Sequence, residues 1–196
     1  MPRITICNTS QTAELKCNID YMEALPDAWI HSSGDQIVRT LSGTVLNNTN
    51  ILLIPFCNYQ DMGDYTCIWR QKVSGLSFNK TTTLVVNGPP ISLDRLISRD
   101  GTDTVLSVFF FSQPFPTEPQ WFFRSTSVVL GFNYQQTTSF SNVTVRQHKH
   151  DIIREGFVSN LTIVKPKSES YGDYTCKIVN DFGHFQENIQ GTIRCC

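Results

Sequence analysis

The sequence predicts an all-β chain of two tandem sandwich domains, and three observations carry that reading. The chain has 196 residues, about twice the ~100 that one small β-sandwich needs. The string Gly-Asp-Tyr-Thr-Cys occurs at 63–67 and again at 172–176, a spacing of 109 residues (172 − 63) that equals one such domain. Apolar residues alternate with polar ones at period two, and no stretch of a dozen residues carries a capped 3.6-residue period.

In chain order, Glu14-Leu-Lys-Cys-Asn-Ile19 alternates as a half-buried strand does, and Trp29 lies in a β-prone segment. Ile51-Leu-Leu-Ile54 is a further strand, and Asp61 and Gly63 suit a tight turn before Tyr65. About one helical turn is expected before each Gly-Asp-Tyr-Thr-Cys string. Leu84-Val-Val-Asn-Gly-Pro-Pro-Ile-Ser92 is expected to end a strand, because Gly88, Pro89 and Pro90 interrupt a ladder and stiffen a linker. The domain boundary is placed there, giving 1–87 and 88–196. The order then repeats: Val105 to Phe111 as a strand, Trp121, the alternating Phe157-Val-Ser-Asn-Leu-Thr-Ile163, and Ser170 to Cys176.

Cys17, Trp29 and the run Leu52-x-Ile54-(x6)-Asp61-x-Gly63-x-Tyr65-x-Cys67 resemble the B, C, E and F strands of the immunoglobulin superfamily. The resemblance implies a bridge from Cys17 to Cys67 across two sheets, covered by the Trp29 ring. It implies a tyrosine corner at Tyr65, whose hydroxyl bonds backbone near the E–F turn. The short Cys17-to-Cys67 spacing is similar to the compact constant-like or intermediate sets. In the second domain Trp121, Tyr174 and Cys176 match, but Val108 stands where the first cysteine belongs, so Leu106, Val108 and Phe110 are expected to fill the core without a bridge. Cys176 is then a buried thiol or finds another partner. Ser170 replaces the aspartate and weakens the corner, and the gap from Val108 to Cys176 leaves room for extra strands.

Seven cysteines cannot all pair within the chain. Cys7 and Cys57 either form a second bridge or pack as small hydrophobes. Neighbours Cys195 and Cys196 are poorly placed to bond each other and are candidates for interchain disulfides and a linked oligomer. The cysteines and five Asn-x-Ser/Thr sequons, at Asn8, Asn47, Asn79, Asn142 and Asn160, point to an oxidising, extracellular setting, secreted or as an ectodomain. Met1-Pro-Arg-Ile-Thr-Ile6 lacks the apolar core of a signal peptide; Met1 is read as replacing a removed leader or as a start residue added for expression, and a missing leader does not argue against secretion.

Composition excludes several function classes. With 40% hydrophobic and 17% charged residues the chain can fill two small cores, and a net charge of −1 gives no long-range pull toward nucleic acid or an anionic bilayer. No apolar run approaches the ~20 residues of a membrane span. Catalytic signatures such as Gly-x-Ser-x-Gly, His-Glu-x-x-His or paired Cys-x-x-Cys are missing, so neither enzyme activity nor a cofactor is expected. His148 and His150, two apart on one expected strand face, lack an evident third metal ligand. With Arg146, Lys149 and Arg154 they form a basic segment, read as a solvated edge strand in preference to a patch for a glycan or acidic partner.

Strand parity locates candidate binding residues. If Trp29, Tyr65 and Cys67 point inward, Ile30 and Ile68 point outward on neighbouring strands, and Phe122 and Val179 do so beside Lys177. The loops at Val73-Ser-Gly75-Leu76 and Asn180-Asp-Phe-Gly183 are the other candidates. The reading is a binding segment of a cell-surface adhesion or immune receptor, contacting a protein homophilically or heterophilically. The alternatives are a secreted pattern-recognition protein like the invertebrate fibrinogen-related lectins, a growth-factor or cytokine receptor, and a cytosolic structural spacer.

Overall fold

The computed structural model describes residues 3–19 and 24–191; Cys195 and Cys196 lie outside the described residues. Two compact units result: Met1–Asn87 together with Arg146–Ile152, and Gly88–Val145 together with Ile153–Cys196.

In the first unit, β1 (Arg3–Asn8), β2 (Ala13–Asn18), β3 (Ala24–Ser33), β4 (Gln36–Leu41), β5 (Thr44–Leu46), β6 (Thr49–Ile54), β7 (Gly63–Gln71) and the first part of β8 (Ser77–Asp100) form two sheets. One is ordered β2-β6-β5 and the other β4-β3-β7-β8, with β1 parallel to β8. Alternation dictates the layers: Ala13, Leu15 and Cys17 of β2 are buried while Glu14, Lys16 and Asn18 are exposed. Leu15, Trp29, Leu52, Tyr65, Cys67 and Leu84 fill the space between the sheets. Two disulfides close it, Cys17–Cys67 between the sheets and Cys7–Cys57 from β1 to the turn before β7.

The second unit uses the rest of β8 with β9 (Asp103–Gln113), β10 (Gln120–Phe123), β11 (Thr126–Ser127), β12 (Tyr134–Gln147), β13 (His150–Ile163), β14 (Gly172–Asn180) and β15 (Gly183–Gly191). Its sheets run β8-β9-β13-β12 and β11-β10-β14-β15. Leu106, Val108, Phe110, Trp121, Leu161, Ile163, Tyr174, Cys176 and Ile178 make the core. A single 3-10 turn precedes each repeated string, at Tyr59–Asp61 and Ser168–Ser170.

Gly88-Pro89-Pro90 does not end a strand. β8 continues through it and changes ladder partner, from β1 at Asn87 to β9 at Gly88, with a register shift between Gly88 and Ile91. Proline has no N–H to donate, so the two prolines are accommodated where the ladder skips residues.

The missing bridge cysteine is located by register. Cys17 pairs with Asn50 and Trp29 with Cys67 in the first unit; Val108 pairs with Ser159 and Trp121 with Cys176 in the second. Val108 therefore occupies the place of Cys17. Cys176 is a free, buried thiol, and burial pushes its pKa up to about 12. The indole Nε1 of Trp121 donates to Ser159 Oγ at 3.1 Å, which satisfies the one polar atom of the ring.

Candidate recognition faces and the polar cluster of the first unit

Each repeated string ends in a tyrosine whose hydroxyl reaches back over its own turn. Tyr65 Oη donates to the Asp61 carbonyl at 2.9 Å and Tyr174 Oη to the Ser170 carbonyl at 2.8 Å. Because the acceptor is backbone, Ser170 in place of aspartate leaves the second corner intact. What it removes is an ion pair: Asp61, buried, holds Arg39 Nη2 at 2.7 Å, and its other oxygen accepts from the Asn58 N–H at 3.0 Å. Burial drives both tyrosine pKa values well above the ordinary phenol value.

Around Asp61 the first unit builds a buried polar cluster that sequence reading did not anticipate. His31 is fully buried, stacked on Tyr65 with ring centroids 4.3 Å apart, and its Nε2–H donates to the Met62 carbonyl at 3.1 Å. Burial, opposed by that bond and reinforced by the Arg39 charge, lowers its pKa to about 4, so the ring is neutral at pH 7. Gln147, also fully buried, donates Nε2 to the Tyr59 and Met62 carbonyls, each at 3.1 Å. His148 Nε2 lies 3.3 Å from Asp61 Oδ1, and burial lowers its pKa as well.

This cluster corrects one expectation. His148 and His150 do not share a strand face: β12 ends at Gln147, β13 begins at His150, and His148 has φ +52 in the hairpin turn between them. His148 faces Asp61, whereas Nδ1 of His150 lies 3.2 Å from Gln36 Nε2. The basic segment does include an edge, since β12 is the terminal strand of its sheet and Arg146 and Lys149 are exposed, but its opposite face is packed, with Val145, Gln147 and Ile152 buried. The period-two burial of Val143, Val145 and Gln147 on β12 was the available signal; an amide at the third position concealed it.

The outward residues sit where parity puts them, though they are not equally displayed. Ile30 and Ile68 are half-buried and lie on one diagonal of the β3–β7 ladder, Ala28 facing Ile68 and Ile30 facing Thr66. Around them are Thr40 of β4 and Thr66 and Thr81, joined at 2.8 Å. Sequon residue Asn79 pairs directly with Ile68, so a glycan there would stand on the same face. Phe122 and Val179 are half-buried on one outer face of the second unit, but Phe122 faces Thr175, four positions from Val179 (179 − 175) along β14. At ~3.3 Å per residue they are about 13 Å apart and form no continuous patch. Gly75 has φ +70 in an exposed turn, flanked by Leu76 at 60% exposure and Val73 at 80%. Asn180, in contrast, is buried, donating to the Gly88 carbonyl at 2.8 Å and Ser112 Oγ at 3.1 Å.

The most exposed apolar segment is one that sequence reading passed over. Between β11 and β12, Val129 is 83%, Leu130 54% and Phe132 100% exposed. Beside it, Gln120, Phe122, Ser127, Val128, Leu130 and Gln136 line a shallow cleft. The unbroken run Val128-Val-Leu-Gly-Phe132 between short β-prone segments was its only signal. Among the described residues no group of three His, Cys, Asp or Glu side chains could hold a metal ion, and no helix is long and apolar enough to cross a membrane.

Paired sheets bridged by Cys17–Cys67 beneath Trp29, a second core built to the same register and a tyrosine corner in each unit agree with comparisons against solved structures. The fold is that of two tandem immunoglobulin-like domains. The structure of Dpr2 Ig1–Ig2 in complex with DIP-Theta Ig1–Ig3 matches with a TM-score of 0.58 at 16% identity, over 96% of this chain and 60% of that one. Two titin tandems, A168–A169 and A164–A165, match with TM-scores of 0.54 and 0.52 at 15% and 18% identity, over 95% and 97% of this chain and 92% and 91% of theirs. The chain thus spans about 60% of the length of the Dpr2 and DIP-Theta complex chain it matches. No family model and no curated protein matches it. At these identities the likeness establishes the fold alone.

Proposed function

We propose that this immunoglobulin tandem is an extracellular recognition module that binds a protein partner by surface complementarity, without turnover. The observation that carries the reading is the display of Val129, Leu130 and Phe132 on a rigid sandwich, with Phe122 beside the cleft at their base. Exposed large apolar groups that cluster, with an aromatic at the tip, are what a protein interface desolvates. Two disulfides in the first unit suit an oxidising compartment, and one structural neighbour is a protein–protein complex.

The test is binding of the tetramerised, fluorescent full chain to live cells, with sedimentation of the free chain over a range of concentrations to detect self-association. F132D and V129D, at exposed loop positions, should leave the fold unchanged and reduce whichever association occurs by about tenfold or more, the equivalent of losing one central contact. Association that is indifferent to both substitutions would remove this loop from the interface.

A second reading, a structural spacer in the cytosol, is favoured by the titin tandems among the neighbours. Thiol alkylation of the protein from its native source separates the two. Blocked Cys7, Cys17, Cys57 and Cys67 support the extracellular reading; free thiols at all four support the spacer.

A further inference from the structure

In the second unit the outer face of the β8-β9-β13-β12 sheet is set apart from its opposite number. Both sequon asparagines of that unit project from it. Asn142 and Thr144 are exposed on either side of buried Val143, and Asn160 is half-exposed between buried Ser159 and Leu161. The outer face of β10, β14 and β15 carries no sequon. The β8-β9-β13-β12 face is also apolar for a solvent-facing surface. Phe109 points outward, opposite in parity to buried Phe110, in register with Val158 on one side and Asp94 on the other. Next to it a cleft of about 310 Å³ is lined by Leu93, Asp94, Phe109, Asn142, Val143 and Thr144. The acceptor asparagine and the hydroxyl residue of its sequon therefore line the same cleft as a phenyl ring.

We propose that Asn142 carries an N-linked glycan whose first sugar seats in this cleft against Phe109 and Leu93. In the attachment, Asn142 Nδ2 forms a bond to C1 of a sugar donated by a lipid-linked pyrophosphate oligosaccharide. The C1–O bond to the pyrophosphate breaks, the lipid pyrophosphate leaves with the electron pair, and Nδ2 gives up one proton. The C–H face of a pyranose ring packs on an aromatic ring, removing both from water, and Asp94 is placed to accept a bond from a sugar hydroxyl. The consequence is a division of labour between the sheets of the second unit: one face covered by sugar, the other free for protein contact. The inference rests on the extracellular part of the function proposed above.

The experiment is peptide mass mapping of the full chain secreted from eukaryotic cells, before and after enzymatic removal of N-glycans, which converts each occupied asparagine to aspartate. Asn142 should be converted in nearly every copy. Removing its glycan in the folded protein should speed hydrogen exchange in β9 around Phe109 and lower the unfolding midpoint by about 4 °C. T144A, which abolishes the sequon without touching Asn142 or Phe109, should reproduce that shift, and F109S should abolish the difference between glycosylated and stripped protein. Asn142 bare while other sequons are occupied would overturn this inference alone. So would an occupied Asn142 whose removal changes neither exchange nor midpoint. If all five sequons are bare and the four bridge cysteines reduced, the extracellular reading fails with it.

Discussion

Replacing Val108 by cysteine should install in the second unit the bridge that the first unit has. Both halves of the site are prepared. Val108 and Cys176 are each fully buried in one core, and the ladder partners of Val108 and Trp121 match those of Cys17 and Trp29, which flank the Cys17–Cys67 bridge. The bridge would close a loop of 68 residues (176 − 108), which in the chain-entropy description stabilises by about 4 kcal/mol. Shortening valine to cysteine forfeits about 1 kcal/mol of packing. The net of about 3 kcal/mol corresponds to a rise of roughly 10–20 °C in the unfolding midpoint of a unit this size. The assay is alkylation mass spectrometry together with thermal unfolding, each with and without reductant. In the parent protein Cys176 should resist alkylation until unfolded, because burial holds its pKa at about 12; in V108C it should resist even when unfolded, until reduced. Alkylation at both position 108 and Cys176 in unfolded, oxidised V108C, or a bridge that leaves the midpoint unmoved, would refute the claim that Val108 occupies the strand-B cysteine position.

Three further outcomes follow from the geometry. His31 has a folded pKa of about 4, below the ordinary histidine value of 6.5, so the unfolded chain binds more protons in between; first-unit stability is full above pH 6.5 and is lost as pH falls toward 4. Urea midpoints across that range should show the slope, and H31Q, which retains a donor for the Met62 carbonyl, should flatten it; an unchanged slope would place the proton uptake elsewhere. Gly63→Ala should cost about 3 kcal/mol or prevent folding, because φ is +145 and a Cβ would meet the Ser32 carbonyl and lie 2.9 Å from His31 Nε2. Circular dichroism melts would reveal a tolerated alanine. Tyr174→Phe removes the 2.8 Å bond to the Ser170 carbonyl and the longer 3.4 Å contact with the Tyr134 hydroxyl and should lower second-unit stability by about 1 kcal/mol in denaturant titration; no loss would mean that the corner is ornamental there.

The sequence by itself determined the local alternation and the duplication. Period-two patterning in Glu14–Ile19 and Phe157–Ile163 assigns each side chain to a face because a strand has only two, and the repeated Gly-Asp-Tyr-Thr-Cys marks the same turn-to-strand junction twice. Parity was enough to send Ile30, Ile68, Phe122 and Val179 outward. It could not say how far apart they stand, because that depends on the register between strands distant in sequence. Tertiary structure alone decided that Cys7 and Cys57 bond, that β8 runs through Gly88-Pro89-Pro90 by changing partner, and that Gln147 and His148 belong to the cluster around Asp61 and His31. The physical reason is the same in each case: a polar or sulfur atom acquires its role from the group that satisfies it, and here those groups lie about 25 to 90 residues away along the chain, beyond the reach of any local pattern.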